Sequence, residues 1–322
     1  MDIFKDFSVT QEQGFLNNEI KVVLFYKKGS PITAHAVLKS GSQYDPHNMK
    51  GVSHFIEHMI TNGSAEFPSK DILAEHIESV GGSYGAMTGQ DSMWVNTEVS
   101  EKEDFNRAKD IFNSALCFPL MDKKVLENEK QVVVKEIKRA DSNPERLLLK
   151  NIRKIFFKGT PFEYEVLGDE NTILNLKYED VMQEHKKLFD KTRISFIVCG
   201  DITMDEILTE LNKLSFLEGN DFVLSNAKYK YSSEKILTTY FDAPQTYIYL
   251  GIEAPELFTK DHDYLAILGN ILAGGRNSRL TKRLRYEKGL VYDVGTNRCG
   301  GFFFGSWGIK TNTAEDKAQE VV

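Results

Sequence analysis

Cysteine is scarce in this chain of 322 residues: Cys117, Cys199 and Cys299 are odd in number and far apart. That excludes a disulfide framework and leaves no thiolate pair with metal-ligand spacing. Long apolar runs are missing as well, with no stretch of about 18 residues that could cross a bilayer as a helix. Positive charge does not predominate, since 40 Lys and Arg face 47 Asp and Glu for a net charge of −7. An acidic balance disfavours a nucleic-acid partner. Between Met1 and Glu19 there is neither a basic start nor an apolar stretch, because Asp2, Lys5, Asp6 and Glu12 interrupt it, so no signal peptide is expected and the compartment read from the sequence is cytoplasmic. What is present is ordinary, 41% hydrophobic and 27% charged residues, enough for two cores.

Along the chain, periodicity alternates between 2 and 3.6 residues. Ile20, Val22, Leu24 and Tyr26 share one face, and Ile32 to Leu38 repeats the alternation, so both segments are expected to be strands. From Gly51 the period lengthens into a short helix carrying Val52, Phe55, Ile56 and Met59. Pro68, Ser69 and Asp71 start another helix that runs to Val80 and stops at Gly81 and Gly82. Strands are expected at Tyr84 to Thr88 and Met93 to Val99, followed by helical stretches over about 101–116, 122–140, 144–157 and 178–190. Ile194 to Val198 reads as a buried strand before a helix at Met204 to Leu214. Polar residues from Leu217 to Ser233 mark a boundary, giving domains 1–216 and 217–322. Beyond it, strands at Ile236 to Phe241 and Thr246 to Glu253 lead into a helix from Asp261 to Leu272 that ends at Gly274 and Gly275. This order echoes the first half, so the class is α+β with a duplicated domain whose second copy looks short.

The chemistry concentrates at residues 54 to 58, His-Phe-Ile-Glu-His. Positions i and i+4 of a helix project from one face, so His54 and His58 can chelate one ion with Glu57 beside them. Imidazole ligands that leave a coordination position open suit zinc, which lowers the pKa of water toward neutrality while a neighbouring carboxylate takes its proton. Chance supplies this pattern in about one of eighty chains of such composition, and a core helix with two half-buried histidines is the plainer alternative. A third ligand is needed. Glu129 and Glu136 lie seven residues apart, on one face two turns apart, but a solvated helix flanked by Lys130 and Lys135 would look the same.

Taken together these residues resemble the pitrilysin family, the inverzincin peptidases with the H-x-x-E-H motif. That family carries two glutamates seven apart some 70 to 80 residues after the second histidine, and here they fall 71 and 78 residues after His58. The resemblance implies Zn2+ held by His54, His58 and Glu136, with Glu57 as base and Glu129 as acidic companion. Lys39-Ser-Gly-Ser-Gln-Tyr-Asp is similar to the family's approach to the motif, and residues 81 to 88 to its substrate-receiving edge strand. Gly85, Ala86, Met87 and Thr88 would then bind the peptide backbone by strand addition. Family members commonly have Asn where this chain has Gly85. Arg285 and Tyr292 resemble the family's Arg/Tyr pair, placed to hold substrate carbonyls and stabilise negative charge.

The same resemblance implies duplicated α/β sandwich domains, mostly antiparallel sheet with helices packed on it, the second copy apparently truncated. The activity it implies is a zinc-dependent endopeptidase acting on short or unfolded peptides, with a homodimer or clamshell as the working assembly and neither nucleic acid nor membrane as partner. Two other readings stay open. One is a catalytically silent scaffold or peptide-binding subunit; the other is a processing peptidase with a specific cleavage site.

Overall fold

Alternating burial builds the first sheet. In the computed structural model, which describes residues 8–218, 236–257, 259–301 and 304–322, the chain divides into two compact units. The first comprises Met1–Ile137 with Val166–Val223, the second Lys138–Glu165 with Leu224–Val322. In chain order the elements begin with β1 (Thr10–Phe15), β2 (Lys21–Tyr26), β3 (Ile32–Leu38), α1 (Val52–Ile60), α2 (Lys70–Glu78), β4 (Ser83–Thr88) and β5 (Met93–Val99). There follow α3 (Phe105–Phe112), α4 (Lys123–Asp141), α5 (Pro144–Phe156), α6 (Glu170–Asn175), α7 (Tyr178–Leu188), β6 (Ile194–Gly200) and α8 (Met204–Leu211). The last are β7 (Thr246–Glu253), α9 (Lys260–Ala273), β8 (Val291–Gly301), β9 (Phe304–Thr313) and α10 (Ala318–Val321).

In the first unit the strands run β1-β2-β6-β3-β5-β4, antiparallel except for the parallel β2–β6 pair. Ile32, Ala34, Ala36 and Leu38 of β3 are buried, as are Met93, Val95, Thr97 and Val99 of β5 and Ile194, Phe196 and Val198 of β6. Cross-strand register puts these residues on one face. Helices α1, α2 and α3 pack against its strands through Phe55, Ile56 and Met59, Leu73 and Ile77, and Phe105, Ile111 and Phe112. Each such side chain contributes about 1.5–3 kcal/mol by leaving water. The rings of Phe112 and Phe196 meet edge-on at 5.3 Å.

The second unit has a three-stranded antiparallel sheet, β7-β9-β8. Ala273, Leu290, Val291 and Val294 form one small core, and Phe157 with Phe162 another. Each unit is thus an antiparallel-rich sheet with helices on it, the α+β class expected.

Several segments depart from the sequence reading. Ile236 to Phe241 forms no strand: Ile236 is 84% exposed and Tyr240 88%, so its alternation buries nothing. Conversely, β1 and the β8–β9 hairpin were not foreseen. Strand β8 carries Gly295, Gly300 and Gly301, a residue type depleted in strands, and the ladder to β9 holds them extended. The stretch 101–116 is not one helix but a 3-10 turn, α3 and a π turn at Asn113–Cys117. The polar segment expected at the domain boundary lies almost wholly outside the described residues.

Candidate metal centre

Helix α1 starts abruptly. Gly51 sits at φ 93°, in the left-handed region, and a Cβ there would lie 2.6 Å from the Leu167 carbonyl oxygen. Only glycine fits such a crossing without strain. The nine-residue helix then buries Val52, Phe55, Ile56 and Met59 and turns His54, Glu57 and His58 to its other side. His54 is 7% exposed.

The second contributor is α4. The Asp122 carboxylate accepts from the backbone N–H groups of Lys124 and Val125 at 2.7 and 3.0 Å, which ties down the first turn. Leu126, Val133 and Ile137 anchor the helix in the core. Glu129 and Glu136 therefore share the face turned to α1.

Glu136 Oε2 lies 3.7 Å from His54 Nε2 and 3.6 Å from His58 Nε2, and the three ligand atoms all fall within 4.8 Å of one another. A tetrahedral zinc with bonds of about 2.1 Å separates its ligands by roughly 3.4 Å, so the donor set and its spacing fit that ion. His58 Nδ1–H donates to Glu129 Oε2 at 3.1 Å, which leaves the Nε2 lone pair facing Glu136. His54 Nδ1 is buried with no hydrogen-bond partner.

Electrostatics follows from these contacts. Burial, with His58 alongside, pushes His54 down to about 4, so its imidazole is neutral and able to ligate. For His58 burial opposes the charge, but Glu129, Glu57 and Glu136 outweigh it and the pKa rises. Glu129 is lowered, first by its hydrogen bond to His58. Glu57 is raised by burial, with Thr88 and His58 opposing and Glu136 adding to the rise.

Strand β4 ends the sheet, leaving one side of its backbone unpaired by any described strand. Gly85, Ala86, Met87 and Thr88 lie opposite Asn96, Val95, Trp94 and Met93. A Cβ at Gly85 would meet Asn96 Oδ1 at 3.3 Å. In the second unit the Arg285 guanidinium lies 5.2 Å from the centroid of the Tyr292 ring, and Tyr292 is 72% exposed. Two residues escaped the sequence reading. Asn62 donates to the His58 carbonyl at 2.7 Å and helps lower Glu129; its position four residues after His58 was the available signal. Asp45, buried against the start of α1, closes the Lys39-to-Asp45 segment that resembled the family's approach to the motif, but its bonds to Gly51 and Ser53 arise only on folding.

Residues 21–170 match the profile of the insulinase family, peptidase family M16, and residues 175–322 that of the peptidase M16 inactive domain. An uncharacterised zinc protease of Rickettsia bellii is 28% identical over 89% of this chain, which spans 69% of that relative's length. A Helicobacter pylori relative described as a non-peptidase homolog is 26% identical, covering 86% of this chain and 65% of its own. The peptidase M16 inactive domain from Pseudomonas fluorescens superposes with a TM-score of 0.88 at 18% identity, over 97% of this chain and 77% of that one.

Proposed function

Because the chain belongs to the insulinase (M16) peptidase family, we propose that it is a zinc-dependent endopeptidase of short or unfolded peptides. The observation that carries this reading is the convergence of His54, His58 and Glu136, with the half-buried Glu57 on the same helix. These three residues hold the metal, and Glu129 orients His58. Zinc, when bound, supplies Lewis acidity for the scissile carbonyl and for the attacking water. Glu57 takes the proton of that water as it attacks and delivers it to the departing amine; its raised pKa suits both transfers. The open edge of β4 takes the peptide as an added strand along Gly85 to Thr88, reading main chain more than side chains. Arg285 and Tyr292 stabilise negative charge on the substrate in a homodimer or clamshell assembly. The domain division at residues 216 and 217 belongs to the same proposal.

One finding favours a second reading, a silent peptide-binding subunit: the Helicobacter relative is described as a non-peptidase homolog. Cleavage of a quenched fluorescent peptide separates the two. We expect turnover that a chelator abolishes and zinc restores, and that Glu57→Gln lowers by about 10²–10⁴-fold while zinc stays bound. Peptide binding without turnover in the zinc-loaded protein supports the silent subunit.

A further inference from the structure

Asp45 is an acidic side chain that folding hides almost completely, at 5% exposure, in the loop that leads into α1. Hiding a carboxylate is costly unless its oxygens are satisfied. Here both are. Oδ2 accepts from the Gly51 N–H at 2.8 Å, and Oδ1 accepts from the Ser53 N–H at 3.1 Å and from the Ser53 hydroxyl. All of these donors belong to the first turn of α1 or the residue before it, where the helix leaves N–H groups unpaired and its dipole favours a negative charge. The Lys50 ammonium donates to the Asp45 carbonyl at 2.7 Å and closes the loop.

The other end of that loop grips the turn of the β4–β5 hairpin. Ser42 N–H and Gln43 N–H donate to the carbonyls of Gly89 and Gln90, each at 3.0 Å, and Gln43 Nε2 donates to Asp91 Oδ1 at 2.8 Å. The approach is as close as backbone allows, since a Cβ on Gly41 would lie 2.2 Å from the Gln90 oxygen. Gly89 directly follows Thr88, the residue beside Glu57. Residues 41–45 therefore form a short brace from the tip of the edge strand to the start of the helix that carries His54, Glu57 and His58.

We propose that Asp45 is a positioning residue for the metal centre, fixing the start of α1 through this brace so that His54 and His58 meet Glu136 while Glu57 stays beside Thr88. The inference rests on the metallopeptidase reading above. An ordinary helix cap would lower stability and leave the geometry of the folded site alone; a positioning residue alters metal affinity in protein that remains folded. In Asp45→Asn one oxygen becomes an NH2 group facing the Gly51 N–H, so attraction at that point turns to repulsion with little change of volume.

The test compares wild type, Asp45→Asn and Gln43→Ala for zinc affinity by chelator competition, for the absorption spectrum of the cobalt-substituted protein, and for melting of the zinc-free protein. Expected for Asp45→Asn is about a 10-fold loss of zinc affinity, the low end for groups supporting metal ligands, with a changed cobalt spectrum and a fall in kcat larger than any rise in KM. Gln43→Ala, at the far end of the brace, should show a smaller change in the same direction, and it decides the matter if Asp45→Asn does not fold. Folded variants with zinc affinity within twofold of wild type and an unaltered cobalt spectrum overturn the positioning role alone. A wild type that binds no zinc overturns the metallopeptidase reading and this inference with it.

Discussion

Single side chains in the first unit divide into those whose partners the spacing announced and those whose partners arise only from folding. His54 and His58 could be placed on one helical face from the pentapeptide, and Glu129 and Glu136 on another, because 3.6-residue periodicity is a local property. That Glu136 approaches both Nε2 atoms while Glu129 takes Nδ1 of His58 is a tertiary outcome. His185 gave no signal at all. Folding leaves its Nε2 buried without a partner, stacks its ring on Phe189 at 4.6 Å, and pushes its pKa down to about 4, chiefly by burial. The sign of the consequence is fixed: an unfolded histidine binds a proton below about 6.5, so between the two values the unfolded state holds more protons and stability rises with pH. The contribution is complete above about 6.5 and is lost as pH falls toward 4, an effect on the order of 3 kcal/mol. Urea unfolding of zinc-free wild type and His185→Phe at pH 7 and pH 4.5 measures it. The substitution should make the midpoint less sensitive to pH, and an identical pH dependence would mean that His185 is protonated in the native protein.

Elements were legible where one face is buried. β3, β5 and β6 alternate because the helices on one side demand apolar residues at every second position, and the sequence shows that demand directly. Ile236 to Phe241 alternates although residues 236 to 240 are all exposed, whereas β8 carries glycines that the ladder to β9 makes extended. Periodicity reports burial, and pairing partners are not periodic. The joint that orients α1 shows the same limit: Gly51 and Gly168 cross so closely that a Cβ on Gly168 would lie 2.2 Å from the Lys50 carbonyl oxygen. Gly51→Ala combines a positive φ with a backbone clash, so we expect a loss of about 2–4 kcal/mol. Gly29 supplies the control. Its φ is 72° and its Cβ position is empty, so Gly29→Ala should cost only about 1–2 kcal/mol of left-handed strain. Calorimetric melting of the two variants tests the difference, and equal losses would show that crowding at residue 51 relaxes at no cost.

For the whole molecule, the argument turns on what the second unit adds to a metal centre built entirely within the first. The echo of strand, helix and paired glycines in both halves suggested two related units; the chain does divide into two compact units, but the assignment of Lys138–Glu165 to the second follows from packing that no local pattern encodes. Among the described residues no helix is long and apolar enough to cross a membrane. Arg285 and Tyr292 lie beside each other, the guanidinium near the ring and the phenol largely exposed, a disposition that core packing does not require. If they stabilise charge on the substrate, Arg285→Ala and Tyr292→Phe should each lower kcat/KM by about 10²–10³-fold and leave zinc affinity unchanged, because no proposed metal ligand lies in their unit. Groups acting as one device are strongly non-additive. The double variant should therefore fall little below the worse single variant, whereas independent roles would multiply the losses. Peptide cleavage by zinc-loaded protein at matched metal content gives both numbers, and kcat/KM within twofold of wild type for all three variants would confine catalysis to the first unit.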